Sequence, residues 1–239
     1  MDWDRHWAEA ISPALYPPHS TGLGPLSFIA EAMPRQGKIL EAGCGMGHIV
    51  HELRMQGFDC EGVDNAKQTI ARIREINPDL PVFAGDVLHL GAPDGHYAGY
   101  ISLGVVEHRE EGPEPFLREA WRVLANNGRA IFTVPFFNTV RRHKAKIGCY
   151  PPPPRKQHDL VFYQYAFMRE EFTNLLEQHG FTIRAVTYYD PWKGLKDELP
   201  PFAWLNSRAK AATKGRQWAD RNSWLYPLAA HMLALICEK

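Results

Sequence analysis

The rhythm of apolar and polar positions changes repeatedly along the chain. Residues 38–42 (KILEA) are a short apolar run that ends at glycines, the pattern of a buried strand. Residues 47–56 then place Ile49, Val50 and Leu53 at helical spacing, and Gly57 stops that helix. Residues 58–63 predict a second strand, and residues 66–76 a second helix closed by Asn77 and Pro78. Short strands follow at 82–84 and 100–103. Residues 113–124 predict a helix with Pro113 in its first turn. Phe116, Leu117, Ala120, Trp121 and Leu124 share one face, and Asn126-Asn127-Gly128 ends it. A fifth strand at 129–134 closes at Pro135. A helix at 169–179 stops at Gly180, and strands at 181–189 and 229–237 complete the pattern.

Strand and helix alternate throughout, which implies right-handed crossovers and a mostly parallel sheet. The predicted fold class is therefore α/β: a doubly wound seven-stranded sheet with helices on both faces, in one domain. Three stretches stand outside the alternation. Residues 1–36 form an N-terminal cap whose aromatic opening (Trp3, His6, Trp7, Tyr16) suggests a helix packed over something. Residues 136–167 hold RRHKAK and four successive prolines, Pro151 to Pro154; they are long for a plain connection and lid-like. Within the C-terminal part, 168–239, residues 190–222 form an insertion with one helix expected around 203–214.

Composition narrows the function classes. The 239 residues are 45% apolar and 23% charged, with a formal net charge of zero, so nothing global points to nucleic acid. The opening MDWDRHWAEA lacks a basic-then-apolar signal pattern. The apolar stretch at 224–237 is broken by Pro227 and His231 and is too short to span a bilayer. The four cysteines, Cys44, Cys60, Cys149 and Cys237, have no paired or metal-ligand spacing. The expectation is a cytoplasmic protein with free thiols, no metal and no transmembrane segment. A homodimer is compatible with the chain.

Gly43, Gly45 and Gly47 lie between the first strand and first helix, where a nucleotide-like ligand binds in such sheets. The spacing fits neither a G-x-G-x-x-G dinucleotide loop nor a phosphate loop with its Lys-Ser or Lys-Thr pair. Glu41 would repel a pyrophosphate and favours a ligand with positive charge. Glu41-Ala-Gly-Cys-Gly-Met-Gly47 resembles the first motif of the class I S-adenosylmethionine-dependent methyltransferases of the small-molecule, type 11/12-like group. Asp64 matches the family's ribose-binding acid, about 20 residues beyond the glycines. Gly85-Asp86-Val87 matches the adenine segment, and residues 100–108 (YISLGVVEH) the fourth motif. Arg122-Val-Leu124 with Asn127-Gly128 matches the helix-to-strand turn, with Asn127 in place of the first glycine. An aromatic stretch and E-F-x-x-L-L-E-x-x-G-F across 162–181 resemble the family too.

The resemblance implies a cofactor-binding core at 37–135 and S-adenosyl-L-methionine as cofactor. Its contacts would fall on Glu41, Ala42, Gly43, Cys44, Gly45, Gly47, Asp64, Asn65, Gly85, Asp86, Val87, Leu103, Gly104 and His108. Cys44 could be a nucleophile or a small residue filling a tight turn; the turn reading is favoured. Asp64 could instead cap the second helix. His108 is the candidate catalytic base, needed only if the acceptor is a weak acid; a cofactor-side role fits it equally. His158 with Asp159 is the second candidate pair.

The implied activity is methyl transfer to an O, N or C atom of a small-molecule, sugar or lipid-like acceptor. A nucleic-acid or protein methyltransferase, or a non-catalytic cofactor binder, is the alternative. Leu103-Gly-Val-Val106 stands where members acting on nucleobase amines carry an N-P-P-Y-like tetrapeptide, so no nucleic-acid partner is expected. Tyr150, Phe162, Tyr163, Tyr165, Tyr188, Tyr189, Trp192 and Trp204 are candidates for stacking on the acceptor, against ordinary core packing. Arg141, Arg142, Lys144 and Lys146 form either a solvated face or a site for a phosphorylated or carboxylated acceptor.

Overall fold

The structure is a computed structural model that describes residues 2–7, 26–150, 162–207 and 209–239. Its seven strands are β1 (Ile39–Ala42), β2 (Cys60–Asp64), β3 (Val82–Ala84), β4 (Tyr97–Leu103), β5 (Leu124–Pro135), β6 (Thr182–Tyr189) and β7 (Met232–Glu238). They form one sheet in the order β3-β2-β1-β4-β5-β7-β6. β1 to β5 pair in parallel. β7 inserts antiparallel between β5 and β6.

β1 is buried at all four positions, as a strand covered on both faces must be. One apolar layer (Ile29, Ile49, Val50, Leu53, Ile70, Ile73) comes from α2 (Leu26–Ala32), α3 (His48–Met55) and α4 (Lys67–Ile76). The other (Leu117, Ala120, Val123, Phe172, Leu176) comes from α5 (Glu114–Val123) and α7 (Arg169–Gln178). Strand order reverses between β1 and β4, so the crevice at their carboxyl ends is the place for a ligand.

Asn127 holds φ 62, a left-handed conformation that asparagine tolerates. It does the work of the glycine expected at that turn. The predicted helix before it ends earlier, at Val123.

Several expectations need correction. The RRHKAK stretch is not irregular: it is helix α6 (Thr139–Lys146), whose N-cap Asn138 accepts from Arg141 N. The 190–222 insertion holds three helices rather than one: α8 (Pro191–Glu198), α9 (Pro200–Asn206) and α10 (Ala209–Arg221). A fourth, α11 (Leu225–Ala229), precedes β7, so the last strand begins at Met232 rather than residue 229. Periodicity failed here because α8 and α9 are each a turn or two long, too short to show a full apolar stripe. α8, α10 and α11 share a separate small core of Trp192, Leu195, Ala219, Leu225 and Ala229, against which Phe202 and Leu205 of α9 pack.

Candidate functional site

The loop after β1 is pinned from below. Gly43 N and Cys44 N both donate to the Val63 carbonyl, at 2.8 and 3.1 Å. Gly43, Gly45 and Gly47 hold φ of 81, 50 and 70, a region costly for any residue with a side chain. Asp64, at the end of β2, accepts from Gly45 N at 2.8 Å and from Ala66 N at 2.9 Å. It is therefore no cap of α4, whose N-cap is Ala66. It braces the glycine loop against the next turn. Each carboxylate oxygen retains a further acceptor site for a hydroxyl.

The cap on α4 comes from far away in sequence. α1 (Trp3–Trp7) lies over the loop, and Asp4 Oδ1 accepts from Thr69 N at 2.9 Å. A Cβ on Gly45 would sit 3.0 Å from the Trp7 ring. The described part of the aromatic opening, Trp3–Trp7, is thus a helix over the glycines, while Tyr16 lies outside the described residues.

Between these parts lies a cavity of about 590 Å³, within the range of small-ligand sites. Of the sequence candidates, Gly43, Asp64, Asn65, Val87, Leu103, Gly104 and His108 line it together. Glu41, Ala42, Cys44, Gly45, Gly47, Gly85 and Asp86 do not. Ala42 and Cys44 are buried in the floor, and burial raises the Cys44 thiol well above its usual value. That makes Cys44 an inert packing residue rather than a nucleophile. Asp86 accepts from Leu88 N at 2.9 Å and lies against His89 at 3.2 Å.

Glu41 is 3% exposed, and its Oε2 has no hydrogen-bond partner. Burial pushes its carboxyl well up, while a bond from the Val50 backbone lowers it and the Asp64 charge adds to the rise. An orphaned carboxylate oxygen behind a glycine loop is a site awaiting a positive or donating group.

The cavity's other wall is aromatic: Trp3, His6, Trp7, Phe116, Phe162 and Tyr163. Of the eight stacking candidates only Phe162 and Tyr163 are here. Trp192 is core, Tyr188 packs on Phe136, and Tyr150 donates to Glu198. Tyr189 is half-buried beside Phe28, while Tyr165 and Trp204 are exposed and line no part of the cavity. Val105, Arg109, Glu110, Glu111 and Phe116 were missed. Only their nearness to His108 could have signalled them.

Arg141 and Lys144 are neither solvated nor free for an acceptor. Both bind Glu198, at 2.8 and 2.7 Å. Arg142 and Lys146 are exposed. His158 and Asp159 lie outside the described residues.

His108 ends the short helical turn after β4. Its Nδ1 lies 2.9 Å from the Tyr163 carbonyl, and Trp3 meets its ring edge-on at 5.0 Å. A carbonyl only accepts, so Nδ1 carries the proton and Nε2 keeps its lone pair. Burial holds the imidazole below its ordinary value; the Tyr163 bond works the other way, and nearby His6 adds to the lowering. Beside it Glu107 is 1% exposed and burial pushes it up to about 8. Among the described residues no group of His, Cys, Asp and Glu is arranged to hold a metal ion.

Comparisons with known proteins bear on the domain and the fold. Residues 40–132 match the methyltransferase domain model. A probable S-adenosylmethionine-dependent methyltransferase of Mycolicibacterium smegmatis is 26% identical over 61% of this chain and 52% of its own length. The chain spans about half the length, or less, of the curated relatives it matches. An S-adenosylmethionine-dependent methyltransferase from Archaeoglobus fulgidus superimposes with TM-score 0.60 at 15% identity, covering 90% of this chain and 91% of that one. The [4+2]-cyclase SpnF shares the fold too, with TM-score 0.55 at 17% identity over 90% and 79% of the chains. Residues 40–132 thus match the methyltransferase domain model, and the chain has the fold of the S-adenosylmethionine-dependent methyltransferases.

Proposed function

We propose that this protein moves a methyl group from S-adenosylmethionine to an O or N atom of a small, ring-bearing acceptor. The observation that carries the reading is the continuity of one cavity from Gly43, Asp64 and Val87 to the aromatic wall of Trp3, Phe162 and Tyr163, with His108 among its lining residues. The bound cofactor supplies an activated methyl group together with its leaving group. The protein's task is then mainly to position the acceptor and exclude water.

Asp64 is suited to two ribose hydroxyls through its remaining acceptor sites. Glu41 lies buried behind the glycine loop and outside the cavity lining, so it supports that loop rather than touching the cofactor, and Val87 gives apolar contact to the adenine. The rings of Trp3, Phe162 and Tyr163 suit an acceptor with a flat or apolar body. His108 keeps its proton on Nδ1 toward Tyr163, so Nε2 is the atom that takes the acceptor's proton when the acceptor is a weak acid.

The test is incubation of the protein with S-adenosylmethionine labelled in the methyl group and an extract of the source cells, followed by fractionation. The reading expects label in the low-mass fraction. Label confined to protein or nucleic acid, or no transfer at all, overturns it. The second outcome would favour a non-methylating role, for which the shared fold of SpnF is a precedent.

A further inference from the structure

The helical insert stands at the same edge of the sheet as the cavity. β6 runs with β5 and β7 runs against both, so the connection from Tyr189 to Met232 lies at the carboxyl edge. Within the insert, α10 has two distinct faces. Its inner face holds buried Ala219 and Gly215, which abuts the Trp192 ring. On its outer face Lys210, Lys214, Trp218 and Arg221 succeed one another at steps of four, four and three residues, all exposed.

Trp218 is 44% exposed, and Trp224, just beyond the helix, 56%. Their ring centroids are 6.5 Å apart at 82°. Trp224 Nε1 donates to Asn222 Oδ1, and Asn222 Nδ2 donates to the Trp218 carbonyl, at 3.2 and 2.7 Å. The second indole is thus held beside the first. Among the described residues no ion pair takes up Lys210, Lys214 or Arg221, in contrast to Arg141 and Lys144, which Glu198 holds. α10 carries four basic residues against one acid, Asp220, in a chain of zero net charge.

Exposed indoles among unpaired lysine and arginine match the boundary between water and lipid. Indole prefers the headgroup level, and basic side chains are drawn to an anionic leaflet. A nucleic acid would use the same charges, but it stacks bases on open ring faces. Here the edge-to-face pairing turns one indole's edge on to the other's face.

We propose that the outer face of α10, together with Trp224, seats the protein on an anionic lipid surface. The cavity edge of the sheet then lies on the membrane side of the molecule. The seating is independent of methyl transfer.

Co-sedimentation with vesicles of phosphatidylcholine, alone or mixed with phosphatidylglycerol, tests the proposal. The wild type should bind the mixed vesicles at low salt, ignore the neutral ones, and release as salt rises. Lys210→Glu, Lys214→Glu and Arg221→Glu together should lower partitioning by about 100-fold or more, since each basic residue near the surface contributes roughly a fivefold factor. Trp218→Ser with Trp224→Ser should abolish the blue shift of tryptophan emission on binding. Circular dichroism melting of each variant at the wild-type temperature would show that it folds. Failure of the wild type to bind anionic vesicles at low salt, or undiminished binding by the triple variant, overturns the proposal. So does binding of a single-stranded RNA oligonucleotide by a wild type that ignores the vesicles, which would assign the face to nucleic acid.

Discussion

Replacing Glu107 with Gln should flatten the dependence of stability on pH. Glu107 is 1% exposed and its Oε2 lacks a hydrogen-bond partner. Burial pushes the carboxyl up to about 8 from its ordinary 4.5, against a small opposing backbone bond. Between those values the folded carboxyl keeps its proton while the unfolded one has lost it. Stability is therefore highest below about 4.5, falls as pH rises toward about 8, and is level above, where both states are ionised. At about 1.4 kcal/mol per pH unit the full window is worth up to about 5 kcal/mol. Gln has the same shape and no charge to lose. Glu41 is also buried and raised, but it is present in both proteins and cancels in the comparison. Urea unfolding at about pH 5, 7 and 9 provides the assay. The variant should gain on the wild type at each step, by at least about 2 kcal/mol overall. A stability difference that stays constant across the series would refute the reasoning, because the buried carboxyl would then not titrate as its surroundings demand.

Other outcomes follow from the same geometry. His108→Ala should lower turnover by about 10²–10⁴ with cofactor affinity little changed; in the wild type kcat/KM should fall only as pH drops below the ordinary histidine value of 6.5, because burial lowers this imidazole and its neutral form is the base. Equal losses in turnover and cofactor binding would place His108 on the cofactor side. Glu198→Ala leaves Arg141 and Lys144 without their carboxylate and should destabilise the protein by on the order of 3 kcal/mol in urea unfolding; a loss under about 0.5 kcal/mol would show an exposed, dispensable pair. Gly62→Ala would bring a Cβ 2.7 Å from the Cys44 Cβ and should cost about 1–3 kcal/mol by overpacking, with no loss if the loop moves freely.

The glycine-loop side of the cavity was legible because it depends on backbone. Three glycines at alternate positions and an acid at the end of the next strand are local patterns, and they fix where the loop and Asp64 must be. The aromatic wall was legible only as a set of segments. Trp3, Phe116 and Tyr163 reach one cavity through packing between elements far apart in sequence. Periodicity therefore could not separate Tyr163, which lines it, from Trp192, which lies in the small core. Arg141 and Lys144 misled for a related reason. Their partner, Glu198, is more than 50 residues away, on a helix too short to show an apolar stripe. Asn127 was recognised as standing in for a glycine, and its positive φ explains why asparagine serves there.

Calorimetric titration with S-adenosylmethionine and its demethylated product tests the central claim most directly, on the wild type and on Asp64→Ala. Asp64 braces Gly45 and Ala66 and faces the cavity, so the proposed ribose contact is the one to remove. The account predicts micromolar binding by the wild type, weakened in the variant by about 1.5–3 kcal/mol, the range for hydrogen bonds to a charged group. Preference for NAD, binding of neither nucleoside, or undiminished affinity in the variant would contradict it.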